Sequence, residues 1–135
     1  MFLNCNTFNN GGELTLGNWN TNNVTNMGQT LRLCFDFDQN LANWSISSLI
    51  VATDGSTTYG GIFDGTNLSV NNYSDILIGW AAQAPDIKTG VRFRACVPAN
   101  TTPGTTGIKY NVAGQTARNI LTGTYGWNIV DGGLV

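Results

Sequence analysis

Hydrophobic and polar positions recur along the first half of the chain. Residues 16–27 read LGNWNTNNVTNM, with Trp19 set among small polar residues. A similar phrase, LANWSISSLIVA, returns at residues 41–52 with Trp44 at the tryptophan position, 25 residues after Trp19. This offset is far longer than the period of a helix or a strand, so the pattern indicates repeated structural units.

A second set of recurring positions precedes each tryptophan phrase. The segments MFLNCNTF and TLRLCFDF share an aromatic residue or leucine, a cysteine and a phenylalanine at the same spacing. The matching pairs are Phe2 with Leu31, Cys5 with Cys34, and Phe8 with Phe37. A third, looser copy begins at Phe63. The two sets together indicate that the repeat is longer than the tryptophan phrase itself.

The repeat predicts a solenoid over residues 1–68, about 2.5 repeats long. Each coil of a solenoid contributes a short strand and a turn-rich return, and stacking buries the apolar side chains that one coil leaves exposed. Like positions should then stack as a structural ladder. The predicted ladder residues are Trp19, Trp44, Phe8, Phe37, Cys5 and Cys34. Stacked coils would lie about 4.8 Å apart, within disulfide range, so a Cys5–Cys34 bond and two free thiols both remain open.

Residues 69–135 break the period and predict a cap within the same compact domain. Residues 71–85 place apolar side chains at helical spacing, and Asn72 or Ser74 is predicted to cap that helix. Residues 91–95 alternate like a strand whose arginines face water. The remaining predicted elements are a loop at 98–107, a short helix at 114–123 and a final strand at 125–133. The predicted fold class is therefore mainly β with short helices, a short solenoid closed by an α/β C-terminal cap.

Composition and charge narrow the functional classes. The 135 residues carry a formal net charge of −2, and the six basic residues never cluster, whereas nucleic-acid binding needs grouped cations. No apolar stretch approaches the roughly 20 residues that span a bilayer. The first ten residues lack the basic and long apolar regions of a signal peptide. We therefore expect no nucleic-acid partner and no membrane insertion, and either no export from this start or a longer parent protein.

Catalytic and metal-binding chemistry has few candidate residues. The chain contains no histidine, the commonest general base, and its three cysteines form no C-x-x-C motif. The segment DFDQN, which contains Asp36 and Asp38, imitates the start of a calcium loop. Leu41 and Ser47 replace the glycine and the closing glutamate of that loop. We expect no catalytic residue, no cofactor and no metal, and the protein is not predicted to be an enzyme.

The tryptophans and the polar residues beside them are the remaining candidates for binding. An exposed tryptophan serves for carbohydrate stacking, but the recurrence of Trp19 and Trp44 favours a structural role for both. The polar residues between the ladder positions should fall at exposed corners. The predicted contact surface consists of Asn20, Asn22, Asn23, Ser45, Ser47 and Ser48.

These phrases resemble the repeats of the BspA-like leucine-rich-repeat surface proteins, which read roughly MF..A..FN..I..W..S.V..M. The first copy matches closely, and the second keeps the Phe37, Trp44 and Leu49 positions but loses the methionine. The resemblance implies a right-handed solenoid on the cell surface or outside the cell, with adhesion or binding of a protein or glycan ligand as its role. The chain departs from the family pattern by opening in the middle of a repeat, so its N-terminal coil would expose an edge unless a neighbouring coil, domain or subunit covers it.

A bacteriophage virion protein is the alternative prediction. A capsid decoration, a fibre component or a receptor-binding component is assembled in the cytoplasm and needs no export signal. A short chain with no signal peptide would fit that role. The predicted location is then the virion instead of the cell surface.

Overall fold

The computed structural model describes residues 1–53, 60–96 and 107–135, so the predicted loop at 98–107 lies, except for Gly107, outside the described residues. The chain begins with two 3₁₀ helices. Two α-helices, α1 and α2, come later, and α2 continues directly into a π-helical turn. Three short strands, β1, β2 and β3, complete the regular structure of the described residues. The 3₁₀ helices span Asn10–Gly12 and Leu14–Asn18, α1 spans Val70–Ala81, α2 spans Val112–Asn119, and the π-helical turn spans Ile120–Thr124. The strands are β1 at Val51–Ala52, β2 at Arg92–Arg94 and β3 at Asn128–Val130.

Helix α1 confirms the helix predicted from apolar spacing, but its cap differs from the prediction. Ser69 occupies the N-cap with extended backbone, and its side chain accepts a hydrogen bond from the backbone N–H of Asn72 at 3.3 Å. The helix begins at Val70, so Asn72 and Ser74 lie inside it. Its buried residues are Tyr73, Ser74, Ile76, Leu77, Trp80 and Ala81. This face packs into the core of the protein.

The three strands form one parallel sheet in the order β1-β2-β3. Ala52 pairs with Phe93, and Phe93 pairs with Ile129. All three side chains are buried and belong to the core. The alternation in residues 91–95 placed Arg94 on a wet face, and this was wrong, because Arg94 is buried against Asp64.

The Asp64–Arg94 ion pair lies inside the core. Arg94 Nε donates to Asp64 Oδ2 at 2.9 Å, and the two side chains are only 5% and 4% exposed. The backbone N–H of Gly61 also donates to Asp64 Oδ2, and the backbone N–H of Cys96 donates to Oδ1, each at 3.0 Å. One carboxylate therefore joins residues that lie up to 32 positions away along the chain.

Segments from different parts of the chain lie side by side, and backbone hydrogen bonds between them include one from each of four residues. Their donors and acceptors are Phe2 N to Thr30 O, Leu31 N to Ile62 O, Phe63 N to Arg94 O and Ala95 N to Val130 O, at 2.7–3.5 Å. Turns interrupt these segments, because Asn4 and Leu33 adopt left-handed backbone conformations with φ of 61° and 60°. The segments that contain Asn4 and Leu33 therefore contribute no strand to the sheet.

The predicted fold class was wrong. The described residues form a small mixed α/β structure with two α-helices and a three-stranded parallel sheet, and not a mainly β solenoid with a cap. The prediction interpreted each repeat as a solenoid coil made of a short strand and a turn-rich segment that leads to the next coil. Residues 16–27 instead begin in a 3₁₀ helix and continue in turns, and only Val51–Ala52 of the second phrase is a strand. The division at residue 68 stays a prediction.

Helix α1 lies close to the second tryptophan phrase because Gly79 carries no side chain. A Cβ at Gly79 would lie 2.6 Å from the Cβ and carbonyl oxygen of Ala42. This contact brings Trp80 fully into the core, where its Nε1 donates to Leu41 O at 3.1 Å. The Trp80 ring lies 5.6 Å from the ring of Phe93.

Across the described parts of the chain, no helix is both long enough and apolar enough to cross a bilayer.

Candidate binding groove

The four tryptophans divide into three buried residues and one exposed residue. Each buried indole Nε1 donates to a backbone carbonyl earlier in the chain. These bonds run from Trp44 to Leu16 O at 2.8 Å, from Trp80 to Leu41 O at 3.1 Å and from Trp127 to Lys88 O at 2.8 Å. Trp19 is 43% exposed, and no described residue accepts a hydrogen bond from its Nε1. Trp19 therefore keeps both an exposed aromatic surface and a free N–H donor.

The local sequence explains why Trp19 projects from the surface. The 3₁₀ helix Leu14–Asn18 ends at Trp19, whose backbone is extended and whose N–H donates to Leu16 O at 3.2 Å. The ring packs against Phe2 at a centroid distance of 5.9 Å, and Phe2 in turn stacks on Phe8 at 4.1 Å. Aromatic neighbours thus hold the indole in place while part of its surface faces solvent.

Trp19 forms one side of a groove with a volume of about 530 Å³. This is within the range of small-molecule sites. Among its lining residues, Thr21, Met27 and Trp44 are buried. The lining residues are Met1, Trp19, Asn20, Thr21, Val24, Asn26, Met27, Gly28, Thr30 and Trp44. None of these side chains is ionisable.

Two asparagines at this groove have fixed orientations. Asn20 Oδ1 accepts the backbone N–H of Asn22 at 3.1 Å, and Asn26 Oδ1 accepts that of Gly28 at 2.7 Å. Neither side-chain Nδ2 donates to another described residue. With Trp19 Nε1, the groove therefore holds three hydrogen-bond donor groups that are free to bind an acceptor.

The predicted contact surface lies next to this groove, and the structure brings its two halves together. Thr21 Oγ1 donates to Ser45 O at 3.0 Å, and Ser48 Oγ donates to Asn22 O at 2.6 Å. Ser45 and Ser47 hydrogen-bond to each other through their hydroxyls. The exposed members are Asn20, Asn22 and Asn23, whereas Ser45, Ser47 and Ser48 are half-buried. Only Asn20 lines the groove, and a contact role for the six residues stays a prediction.

The predicted ladder consists of three pairs of residues, and the members of two of these pairs are close neighbours. The Phe8 and Phe37 rings stack with centroids 6.3 Å apart and planes 4° from parallel. Phe2 O accepts hydrogen bonds from both Cys5 N and Cys34 Sγ, each at 3.0 Å. Trp19 and Trp44 both line the groove, but no ring contact joins them, and Trp44 is only 2% exposed. Their role as a structural ladder stays a prediction.

The three thiols are free and differ in their surroundings. Cys5 is exposed, whereas Cys34 and Cys96 are buried. Burial, with a smaller effect of Cys5 on Cys34, raises the pKa of both buried thiols to about 11. Because the thiolate is the reactive form, neither buried thiol is suited to act as a nucleophile at neutral pH.

We expect iodoacetamide at pH 8 to alkylate Cys5 well before Cys34 or Cys96. The buried thiols are protonated and shielded, so they should react at a comparable rate only after unfolding. Their folded-state pKa lies above the ordinary value of about 8.5, so their contribution to stability is present below that pH and declines as pH rises toward 11. Peptide mass spectrometry of timed samples measures the order of labelling. Equal labelling of all three thiols in the folded protein would contradict it.

The carboxylate that imitates a calcium ligand has a structural partner. Asp38 Oδ1 accepts the backbone N–H of Ser69 and the side-chain Nδ2 of Asn72, each at 2.8 Å. Asp38 thereby fixes the N-terminus of α1, a role that sequence reasoning missed because its partners lie more than 30 residues away. The described residues contain no group of three or more histidine, cysteine or acidic side chains placed to hold a metal.

Comparison with protein families gives a match over the N-terminal part of the chain. Residues 1–58 match the family model described as "Mycoplasma protein of unknown function, DUF285". The matched region contains both tryptophan phrases and every residue that lines the groove. No curated protein and no solved structure matches the chain significantly.

Proposed function

We propose that this protein is a non-enzymatic binding module related to the BspA-like surface proteins, displayed at a cell surface and used for adhesion or for binding a protein or glycan. The groove beside Trp19 is its contact site. The observation that carries the proposal is the exposed Trp19 indole with its free N–H. The family match supports it, because that family is associated with BspA-like repeat surface proteins.

The chemistry of the groove favours binding over catalysis. Its lining side chains are aromatic, aliphatic, amide or hydroxyl groups, and none of them can act as a general acid or base near neutral pH. Aromatic side chains with a polar edge are enriched at protein binding sites because they supply a large contact area at a low entropic cost. A groove of this composition is suited to holding a ligand without changing it.

Binding of the purified protein to intact cells tests the proposal. We expect fluorescently labelled protein to bind a subset of cell types, and Trp19→Ala to weaken that binding by at least about tenfold, as is usual for a hot-spot aromatic residue. Val112→Ala is the matched control, because Val112 is an exposed apolar residue on α2 that does not line the groove. It should bind like the parent protein.

Two results would contradict the proposal. The contact site is wrong if Trp19→Ala and Val112→Ala bind cells equally well. Surface display is wrong if an antibody to the protein labels purified phage particles and leaves the surface of intact producing cells unlabelled. The second result would favour the virion role, which stays the alternative prediction.

A further inference from the structure

The charge of the Trp19 groove limits what it can bind. None of its lining side chains is ionisable. A charged ligand would lose hydration on entering the groove, and no lining side chain would offer it an opposite charge. The side chains of the groove therefore favour a ligand part with no net charge.

The exposed indole requires both an apolar surface and an acceptor from its ligand. Trp19 rests on Phe2, and the exposed part of the indole is available for stacking. Its Nε1–H has no partner among the described residues, so burying it under a purely hydrocarbon group would cost a hydrogen bond. A pyranose ring whose hydroxyls are equatorial has an apolar C–H face and oxygen acceptors at its rim. That combination satisfies both requirements.

The amides of the groove favour a sugar over a peptide. Asn20 Oδ1 and Asn26 Oδ1 already accept backbone N–H groups, whereas their Nδ2 groups are free to donate. These two side-chain amides therefore offer a ligand donors more readily than acceptors. A peptide brings one backbone N–H per residue, and each one needs an acceptor. A sugar hydroxyl accepts from an amide N–H and still donates to water.

We propose that the Trp19 groove binds a neutral carbohydrate, with one pyranose ring stacked on Trp19 and its oxygens accepting from Trp19 Nε1 and the amides of Asn20 and Asn26. The ligand class is a neutral oligosaccharide whose pyranose hydroxyls are equatorial. This inference rests on the proposed binding function and names its ligand.

Fluorescence quenching tests the carbohydrate directly. Trp44, Trp80 and Trp127 are buried, so acrylamide should quench mainly the emission of Trp19. The probes are two neutral sugars, cellotetraose and chitotetraose. We expect at least one of them to protect Trp19 from quenching by acrylamide in a saturable manner. A sulfated heparin tetrasaccharide should give no protection. Absence of protection by both neutral sugars, or stronger protection by the sulfated one, would overturn the proposal.

Variants separate stacking from general damage. Isothermal titration of the sugar that protects Trp19 should show intermediate affinity for Trp19→Phe, which keeps an aromatic face but loses the N–H. It should show at least about tenfold weaker binding for Trp19→Ala and unchanged binding for Val112→Ala. Circular dichroism should show that all three variants fold like the parent. Undiminished sugar binding by folded Trp19→Ala would overturn the proposal.

Cell binding distinguishes this inference from the proposed function. Periodate oxidation of cell-surface sugars, or their enzymatic removal, should abolish the Trp19-dependent binding of the protein. If binding still needs Trp19 but survives removal of the sugars, the carbohydrate is wrong and the binding function stands. If the protein binds cellotetraose or chitotetraose but no cells, the adhesive function is wrong and the sugar site stands.

Discussion

Replacing Trp80 with alanine is expected to lower the free energy of unfolding by about 3–5 kcal/mol, the range measured when a large aromatic is removed from a core. Trp80 is fully buried, and its ring contacts the rings of Phe63, Phe93 and Trp127 at 5.6–6.4 Å. The substitution also removes the donor to Leu41 O. It therefore leaves a cavity at the point where α1 meets the second tryptophan phrase, while Leu41 O still accepts the backbone N–H of Trp44.

Chemical denaturation followed by circular dichroism measures this loss. Trp19→Ala is the matched control, since it removes the same side chain from an exposed site. We expect that control to cost less than about 1 kcal/mol, as is usual for surface substitutions. A similar loss of stability in both variants would contradict this prediction, because it would mean that the exposed Trp19 side chain stabilises the fold as much as the buried Trp80 side chain.

The second large effect is expected from Asp64→Ala. This substitution removes the carboxylate that faces Arg94 and takes the acceptor from the backbone N–H groups of Gly61 and Cys96. Breaking a buried ion pair by removing one partner costs about 3–5 kcal/mol, because the other charge stays buried. We expect a loss in that range in the free energy of unfolding.

The double variant Asp64→Leu/Arg94→Met is the control for the ion pair. It removes both charges and retains apolar volume, so it should be more stable than Asp64→Ala. Equilibrium unfolding of the parent, Asp64→Leu, Arg94→Met and the double variant gives the coupling energy. A loss below about 1 kcal/mol in Asp64→Ala, a size typical of exposed pairs, would contradict the burial of the Asp64–Arg94 pair.

The sequence predicted local elements better than their arrangement. Helix α1 was predicted because its apolar spacing is a local pattern, and the final strand was predicted because Trp127 and Ile129 alternate with polar residues. The fold class was wrong because recurring phrases indicate that segments are related, and do not specify their backbone conformation. The left-handed turns at Asn4 and Leu33 occur at residues that give no turn signal as strong as glycine.

The candidate groove could be predicted only in part. Asn20 was identified as an exposed polar residue, and the structure places it at the groove. Trp19 was assigned to a buried stack because it shares its phrase with Trp44. The two residues differ in one long-range feature: Trp44 has the carbonyl of Leu16 within reach, and no described residue supplies an acceptor to Trp19. Arg94 illustrates the same limit, since Asp64, which buries it, lies 30 residues away.

The bonds from the buried indoles have a consequence for the order in which the chain folds. Trp44, Trp80 and Trp127 each donate to a carbonyl that lies 28 to 39 residues nearer the N-terminus. During synthesis the acceptor of each bond has therefore left the ribosome before its donor. Each tryptophan can therefore pack and hydrogen-bond against an earlier segment as soon as the tryptophan itself leaves the ribosome. The sheet can form completely only after β3 has been synthesised. We expect growth of the core from the N-terminus, with closure of the sheet as the last and slowest step.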